Sequence, residues 1–430
     1  MLSDSDFRFC LQQIDGRQRT RDKLPTFAQI DGWLYPPRLN LEQCSSERAA
    51  RFKASLLLEV RSQNSEFRLI DATGGYGVDT FFMSEVAAET HYFEQNTDLA
   101  AIADHNFRLA GRFIHCHPEP FTVQSLSTSL YSLTPNPLIP NPLTVIYIDP
   151  ARRDNHGGKV FRLEDCTPNV FEIIRLIRLI REQQNSSISE PQIRVLLKLS
   201  PMLDFHQAVA QIGGSWDVYV VSVNNEVKEL LLLSEVSTAL PIERNQISEV
   251  RCQISGIHAV MLTDSGDHVF SFTPDEESTA EVQTISNAQL KHAVQTRSLN
   301  TQLIFEPDAA LLKTGAFRLI SARYGLKKAD PNTHLYLSDQ FSTLKRAAQT
   351  RSSNAQLSTL SGRWWQVLGV YTRAKEVQSV CTRANILTRN YVLSADALRK
   401  QLRLKDGGDE YIIGCRIADK PLLLHCRRLQ

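Results

Sequence analysis

The chain has 430 residues, of which 22% are charged, and a formal net charge of +1 at pH 7. That length allows two or three domains with full cores. No run approaches the roughly 18 apolar residues of a membrane-spanning helix, and no basic and apolar signal region opens the chain, so a membrane protein is not expected. The eight cysteines form no C-x-x-C pair, which favours free thiols in a reducing cytosol and predicts a cytoplasmic protein.

The net charge conceals an asymmetry along the chain. Residues 285–430 carry 23 Lys plus Arg against 10 Asp plus Glu, whereas the preceding residues have a net charge of −12. An acidic front joined to a basic back is typical of an enzyme domain fused to a module that binds a polyanion.

Residues 1–62 predict an N-terminal helical segment. Glu47–Glu59 contains good helix formers without Gly or Pro, and Ser45 or Ser46 is a candidate N-cap. Either this segment closes over a ligand, or it only packs against the next domain.

Residues 63–272 alternate between strand and helix patterns, which predicts an α/β fold with a mostly parallel, doubly wound, Rossmann-like sheet. An amphipathic stripe marks one helix at Asn169–Glu182. Candidate strands lie at 67–70, 90–93, 112–116, 144–148, 193–199, 217–223 and 258–263.

A glycine-rich loop follows the first strand and predicts a ligand site at the carboxyl end of the sheet. Its sequence, Gly74-Gly75-Tyr76-Gly77, matches neither the dinucleotide fingerprint nor the P-loop. Asp71 would repel a pyrophosphate and favour a cationic group. Glu94 follows the next strand, where an acid typically binds ribose hydroxyls. A cation together with a ribose describes S-adenosylmethionine better than NAD.

The segment Asp71-Ala72-Thr73-Gly74-Gly75-Tyr76-Gly77 resembles motif I of class I S-adenosylmethionine-dependent methyltransferases, with Thr73 in place of the first glycine. The resemblance implies a cofactor site, with Cys116 or His117 at the adenine. Its expected members are Asp71, Thr73, Gly75, Gly77, Glu94, Cys116 and His117. His115-Cys116-His117 has no second ligand cluster at a workable spacing, so no metal site is expected.

A second segment, Asp149-Pro150-Ala151-Arg152, resembles motif IV of the same family. The resemblance implies that Asp149, Pro150 and Arg152 are catalytic and face the transferred methyl group and its target. Three further charged residues near strand ends are expected to bind substrate, namely Arg153, Lys198 and Glu226. Amine methyltransferases often have a stacking aromatic residue after Asp-Pro-Pro, and Ala151 and Arg152 occupy those positions here, so the methylated atom stays open.

The back half resembles the ferredoxin-like and THUMP-like appendages of some bacterial class I methyltransferases. Its expected parts are a ferredoxin-like α+β region at 280–341, a variable connector at 342–380 and a THUMP-like α+β domain at 381–430. The resemblance rests on Phe305-Glu306-Pro307-Asp308, Arg389-Asn390-Tyr391 and Lys405–Glu410, and it implies an RNA substrate.

These observations predict methyl transfer to a base of tRNA or rRNA. Two alternatives remain open: a methyltransferase for a protein or small molecule, and a non-catalytic RNA-binding protein with a vestigial methyltransferase domain. The sequence leaves the oligomeric state undecided.

Overall fold

The computed structural model describes residues 3–63, 66–122, 125, 143–150, 166, 168–183, 193–234, 253–286, 288–290, 303–338 and 360–429. The chain divides into two compact units. The first unit is Met1–Val223 with Lys228–Ser255, and the second unit is Asn224–Val227 with Gly256–Gln430. The expected methyltransferase domain extended to residue 272, whereas the division falls after Ser255.

Four helices open the first unit, as predicted for residues 1–62. They are α1 (Asp4–Thr20), α2 (Pro25–Ala28), α3 (Arg38–Gln43) and α4 (Glu47–Gln63). Ser46, rather than Ser45, caps α4, because its Oγ accepts a hydrogen bond from Ala49 N at 3.3 Å. The buried face of α4 contains small and aliphatic side chains, which allows this helix to pack closely.

Among the described residues, the strands of the first unit lie side by side in the order β3-β2-β1-β4-β5-β7-β6. They are β1 (Phe67–Asp71), β2 (Glu89–Phe93), β3 (His115–His117), β4 (Leu143–Ile148), β5 (Ile193–Leu199), β6 (Ser215–Val223) and β7 (Glu226–Ser234). The pairs among β1 to β5 are parallel. This confirms the doubly wound α/β prediction.

One strand of this sheet runs against the others. β7 pairs with β5 in antiparallel fashion, with Leu197 opposite Leu232. The apolar run Glu229–Leu233 is equally compatible with a helix or a strand, and the sequence pattern therefore did not assign β7. Asn224 and Asn225, both at positive φ, form the two-residue turn between β6 and β7.

The connecting helices of the first unit are α5 (Val78–Met83), α6 (Thr97–Leu109), α7 (Val170–Gln183) and α8 (Phe205–Ile212). Helix α7 confirms the amphipathic helix predicted at Asn169–Glu182 to within one residue at each end. Among the described residues, no helix is long and apolar enough to cross a membrane.

The second unit is α+β, as predicted. β8 (Gln253–Thr263) pairs with β9 (Gly266–Phe272) as an antiparallel hairpin, followed by α9 (Pro274–Thr279). A seven-stranded sheet has the order β11-β12-β10-β13-β16-β15-β14. Its strands are β10 (Leu303–Pro307), β11 (Lys327–Asp330), β12 (Thr333–Ser338), β13 (Gly362–Tyr371), β14 (Asn385–Arg389), β15 (Glu410–Ile417) and β16 (Lys420–Arg428).

In the described part of the second unit, the helices beside this sheet include α10 (Ala309–Thr314), α11 (Phe317–Tyr324), α12 (Ala374–Gln378) and α13 (Ala395–Leu402). Buried side chains such as Trp365, Val367 and Leu424 form a core on the central strands β13 and β16. Strand β13 and helix α12 both lie within the range that the sequence assigned to a connector at 342–380.

Candidate active site

The loop between β1 and α5, residues 72–77, is held together by Asp71. One carboxylate oxygen of Asp71 accepts a hydrogen bond from Thr73 N at 2.9 Å, and the other accepts from the Thr80 hydroxyl. The side chain is buried, with 1% of its residue surface exposed. Burial raises the pKa of Asp71 to about 7, although both hydrogen bonds oppose that change. Asp71 therefore fixes the conformation of the loop from the buried side.

Three glycines make this loop possible, each for a different reason. A side chain at Gly74 would place Cβ 2.3 Å from Tyr92 Cε2. Gly77 has φ +79° and faces Phe107, 2.5 Å from an added Cβ. Gly75 has φ +60°, yet an added Cβ would meet only Thr73 O at 3.7 Å. Gly75 thus borders open space, where a ligand can approach the backbone.

Glu94, immediately after β2, lies beside this open position. One of its carboxylate oxygens accepts from Gly75 N at 2.8 Å and the other from Asn96 N at 2.7 Å. The side chain is only partly buried, so its remaining acceptor capacity is available to hydroxyl groups. Glu94, the expected ribose-binding acid, thus lies next to the glycine loop.

The two candidates for adenine contact lie on β3. Cys116 is half-buried, and burial, reinforced by Asp104, raises the pKa of its thiol to about 12. His117 stacks on Phe93 with ring centroids 4.2 Å apart, and burial lowers its pKa. Because they are consecutive on β3, Cys116 and His117 point to opposite faces of the sheet. The stacked imidazole of His117 is the one suited to contact a flat, uncharged ring.

Asp149 and Pro150 follow β4 at the same edge of the sheet as the glycine loop. Asp149 N donates to the Thr73 hydroxyl at 2.7 Å, which joins the two predicted motifs directly. Lys198, at the end of β5, donates from Nζ to Asp149 Oδ2 at 2.6 Å. The Lys198 side chain is 7% exposed and that of Asp149 is 31% exposed. The Asp149 carboxylate therefore contacts a buried cation on its inner side and is accessible on its outer side.

Behind Asp149 lies a charge cluster that consists of Lys53, Asp79, Asp149, Lys198 and Glu229. Lys53 Nζ lies 3.1 Å from Asp79 Oδ1 and forms an ion pair with Glu229. Lys198 lies 3.8 Å from Asp79 and 3.7 Å from Glu229. Two ammonium groups thus face three carboxylates, and every charge in the cluster has a partner of opposite sign, as buried charges require.

Two hydroxyl groups complete the charge cluster. Ser45 Oγ lies 2.8 Å from Asp79 and 2.9 Å from Glu229, and it accepts from both lysines. Tyr147 donates to Asp79 at 2.6 Å. Burial favours the uncharged forms, but Asp149, Glu229 and Asp79 raise the pKa of Lys198 above its usual range. For Asp79, the two lysines more than offset burial and hold its pKa low.

Sequence reasoning selected Asp149 and Lys198 as site residues, and it selected Glu226 rather than Glu229 on the strand after β6. It did not assign Lys53 or Asp79 to the site. A signal for Lys53 was present, because it falls among the buried positions of α4 with Ala50 and Leu57 on either side of it. A lysine on an apolar helix stripe calls for a buried partner. Asp79 lies two residues after Gly77 of the motif I segment and Glu229 three residues after Glu226, but neither position by itself indicates a buried charge cluster.

The N-terminal segment also reaches the glycine loop. Trp33 Nε1 donates to the Tyr76 hydroxyl at 2.6 Å, and Tyr76 donates to Leu34 O at 3.1 Å. Both aromatic side chains are buried. Because Tyr76 is a loop residue, this packing fixes the loop from its outer side.

The remaining predicted residues are not part of this arrangement as described. Arg152 and Arg153 lie outside the described residues. Glu226, at the start of β7, is exposed and belongs to the second unit. Glu229, on the same strand, is the residue that reaches the charge cluster.

The chain resembles known proteins in both halves. Residues 304–343 match a ferredoxin-like domain family, and residues 362–428 match a THUMP domain-like family. The uncharacterised S-adenosylmethionine-dependent methyltransferases Rv3037c and MT3122 of Mycobacterium tuberculosis strains H37Rv and CDC 1551 are each 25% identical over 273 residues, or 64% of this chain. The chain spans about 60% of the length of these curated relatives.

A crystal structure from Porphyromonas gingivalis W83, of a protein provisionally described as a methyltransferase, resembles the whole chain. It is 27% identical, with a TM-score of 0.74, over 100% of this chain and 92% of that one. The chain therefore has S-adenosylmethionine-dependent methyltransferases as homologues, and it carries a ferredoxin-like and a THUMP-like domain in its C-terminal half.

Proposed function

We propose that the protein is an S-adenosylmethionine-dependent methyltransferase that acts on a base of tRNA or rRNA. The observation that carries the proposal is the hydrogen bond from Asp149 N to the Thr73 hydroxyl at 2.7 Å, which holds the glycine loop and the Asp149-Pro150 turn together. A ligand bound at the loop would end beside the Asp149 carboxylate.

The residues present fit the cofactor. Gly75 leaves the loop backbone accessible, and Glu94 presents a partly exposed carboxylate for ribose hydroxyls. His117 and Phe93 form an aromatic stack beyond it. S-adenosylmethionine, when bound, supplies a methyl group already activated on a sulfonium, so the protein needs mainly to align donor and acceptor.

Asp149 is the group suited to orient the acceptor. Its carboxylate contacts the Lys198 ammonium and is 31% exposed. It would accept a hydrogen bond from an amino or ring N–H of the target base, which makes that nitrogen a better nucleophile. Pro150 would contribute its carbonyl to the same contact. Arg152 and Arg153 are proposed to bind phosphate or a base edge.

RNA as the substrate is supported by the match of residues 362–428 to the THUMP domain-like family and by the positive charge after residue 285. A basic surface attracts the phosphate backbone, and a single-stranded or flipped base can enter a pocket at a sheet edge. A protein or small-molecule acceptor remains the rival.

The test combines cofactor binding with methyl transfer. Calorimetric titration of S-adenosylmethionine, with NAD as the control ligand, is expected to show binding of the former only. Labelled S-adenosylmethionine is then incubated with tRNA, rRNA and total protein from cells that lack this chain. Asp149→Asn should retain binding and lose transfer, whereas Asp22→Asn, an exposed position, should change neither.

Two results would overturn the proposal. Absence of S-adenosylmethionine binding, both alone and with RNA present, would remove the enzymatic assignment. If the label appears in protein while RNA stays unlabelled, the methyltransferase assignment would stand, but the substrate would be a protein and not RNA.

A further inference from the structure

A group of histidines lies at the β2–β3 edge of the first unit. Glu89 and His91 alternate along β2, so their side chains share one face of the sheet. In the parallel pairing of β2 with β3, His91 is opposite His115, and His117 follows two residues later on the same face. The register therefore brings together two pairs of potential ligand residues, Glu89 with His91 and His115 with His117, that are distant from each other in the sequence.

The polar atoms of this group converge. His91 Nε2 lies 3.0 Å from Glu89 Oε1, and the rings of His91 and His115 stack with centroids 4.9 Å apart. One ligand atom each from Glu89, His91 and His115 lies within 4.8 Å of the other two. We propose that Glu89, His91 and His115 bind a divalent transition-metal ion of the Zn²⁺ class.

The donor set suits that ion. Two imidazole nitrogens and one carboxylate oxygen, with water as the fourth ligand, form a common tetrahedral zinc site. Such a site has nitrogen–zinc distances of about 2.0–2.1 Å. The 3.0 Å between Glu89 Oε1 and His91 Nε2 is already close to the separation of two ligands of one such ion.

The outer contacts of the ligands are already in place. Arg68 Nε donates to Glu89 Oε2 at 2.8 Å and leaves Oε1 directed at His91. His91 Nδ1 lies 3.1 Å from His117 Nε2, which fixes the ring and leaves Nε2 as the ligand atom. Partners of this kind orient metal ligands and strengthen binding.

Access and burial are also consistent with a metal site. His91 is buried, with 4% exposure, whereas His115 is exposed and Glu89 partly so. A metal ion can thus enter from solvent on the side of His115. The sequence predicted no metal site, because spacing along the chain cannot show that two strands pair in this register.

The test uses the full chain, freed of metal with a chelator and titrated with Zn²⁺ alone by calorimetry. A second group, Cys381, Glu410 and His425, could bind metal in the second unit, so all measurements are made in a Cys381→Ser background. We expect one Zn²⁺ per chain with micromolar or tighter affinity.

Variants then locate the ion. His115→Ala, at an exposed position, should fold normally and weaken binding more than tenfold, and Glu89→Gln should weaken it comparably. His117→Ala should weaken it by about 10-fold or more, as expected for an outer-shell partner. His206→Ala, at an exposed position on α8, is the matched control and should leave the affinity unchanged.

Co²⁺ provides a second probe in the same Cys381→Ser background. A spectrum without thiolate-to-cobalt absorption is expected, because the proposed ligands include no cysteine. Absence of Zn²⁺ binding in the Cys381→Ser background, or binding unaffected by both His115→Ala and Glu89→Gln, would overturn the proposal and leave a hydrogen-bonded histidine group.

Discussion

Lys198 Nζ lies 2.6 Å from Asp149 Oδ2 and ties the end of β5 to the turn after β4. The lysine is nearly inaccessible, whereas the carboxylate is 31% exposed. The cation therefore holds Asp149 from the inner side and leaves the outer side free for an acceptor. Lys198 is in this sense a positioning residue for Asp149.

Removal of this cation should impair turnover more than substrate binding. Lys198→Met would release Asp149 and leave Glu229 and Asp79 with one ammonium fewer. We expect kcat for methyl transfer to fall by about 10²-fold or more, the usual contribution of a positioned acid–base group, with little change in the Kd of S-adenosylmethionine. Lys198→Arg should recover part of the activity. Equal kcat for Lys198→Met and the wild type would show that Asp149 needs no such support.

A methyl group at the open position of Gly75 should be compatible with folding but should weaken binding of the cofactor. Gly75→Ala introduces strain of roughly 1–2 kcal/mol at positive φ and no contact closer than 3.7 Å. We expect a folded protein that binds S-adenosylmethionine at least tenfold more weakly, as measured by calorimetry. Gly111→Ala is the control, since its φ is +69° and an added Cβ meets nothing within 4 Å. Undiminished binding by Gly75→Ala would place the cofactor elsewhere.

Lys53 should be essential for stability. Its side chain is fully buried and pairs with Asp79 and Glu229. Lys53→Met leaves these carboxylates undercompensated, at a cost of about 3–5 kcal/mol in the free energy of unfolding. Addition of Glu229→Gln should restore part of that loss. Arg38→Met, which breaks an exposed pair, should have little effect in the same urea titration. A small loss of stability for Lys53→Met would mean that water or a rearrangement of neighbouring side chains compensates the charges of Asp79 and Glu229.

Trp33 and Tyr76 should behave as a coupled pair. Tyr76→Phe leaves the buried indole N–H without its acceptor, which costs about 1–3 kcal/mol. Trp33→Phe removes the donor as well, so the double variant should lose less stability than the two single losses added together. A double-mutant cycle of unfolding free energies measures this coupling. Strict additivity would show that the 2.6 Å contact contributes little.

Asp71 should make stability depend on pH. Because burial raises its pKa from 3.8 to about 7, the folded state holds a proton between these values that the unfolded state has released. Stability from this residue is therefore full at low pH and is lost as pH rises from about 4 to 7, by an amount on the order of 4 kcal/mol. Urea unfolding at several pH values should show this slope in the wild type relative to Asp71→Asn. Parallel pH curves for the two proteins would contradict the raised pKa.

The sequence by itself determined the parallel α/β sheet, the helical N-terminus and the α+β character of the back half. Alternating patterns of about ten residues specify strand and helix locally, and strand ends with glycine and acid specify where a ligand site lies. Asp71, Gly75, Glu94 and Asp149 could be selected on that basis, since each lies at the carboxyl end of a parallel strand.

Only the tertiary structure decided which residues act together. Lys53, Asp79 and Glu229 come from two helices and an antiparallel strand, and the lysine meets both carboxylates only after these elements pack. His91 meets His115 only through the register of β2 and β3. A local sequence pattern gives the spacing of apolar residues within one helix or strand. Ion pairs and cross-strand neighbours depend instead on the distances between elements, which no short segment of sequence specifies.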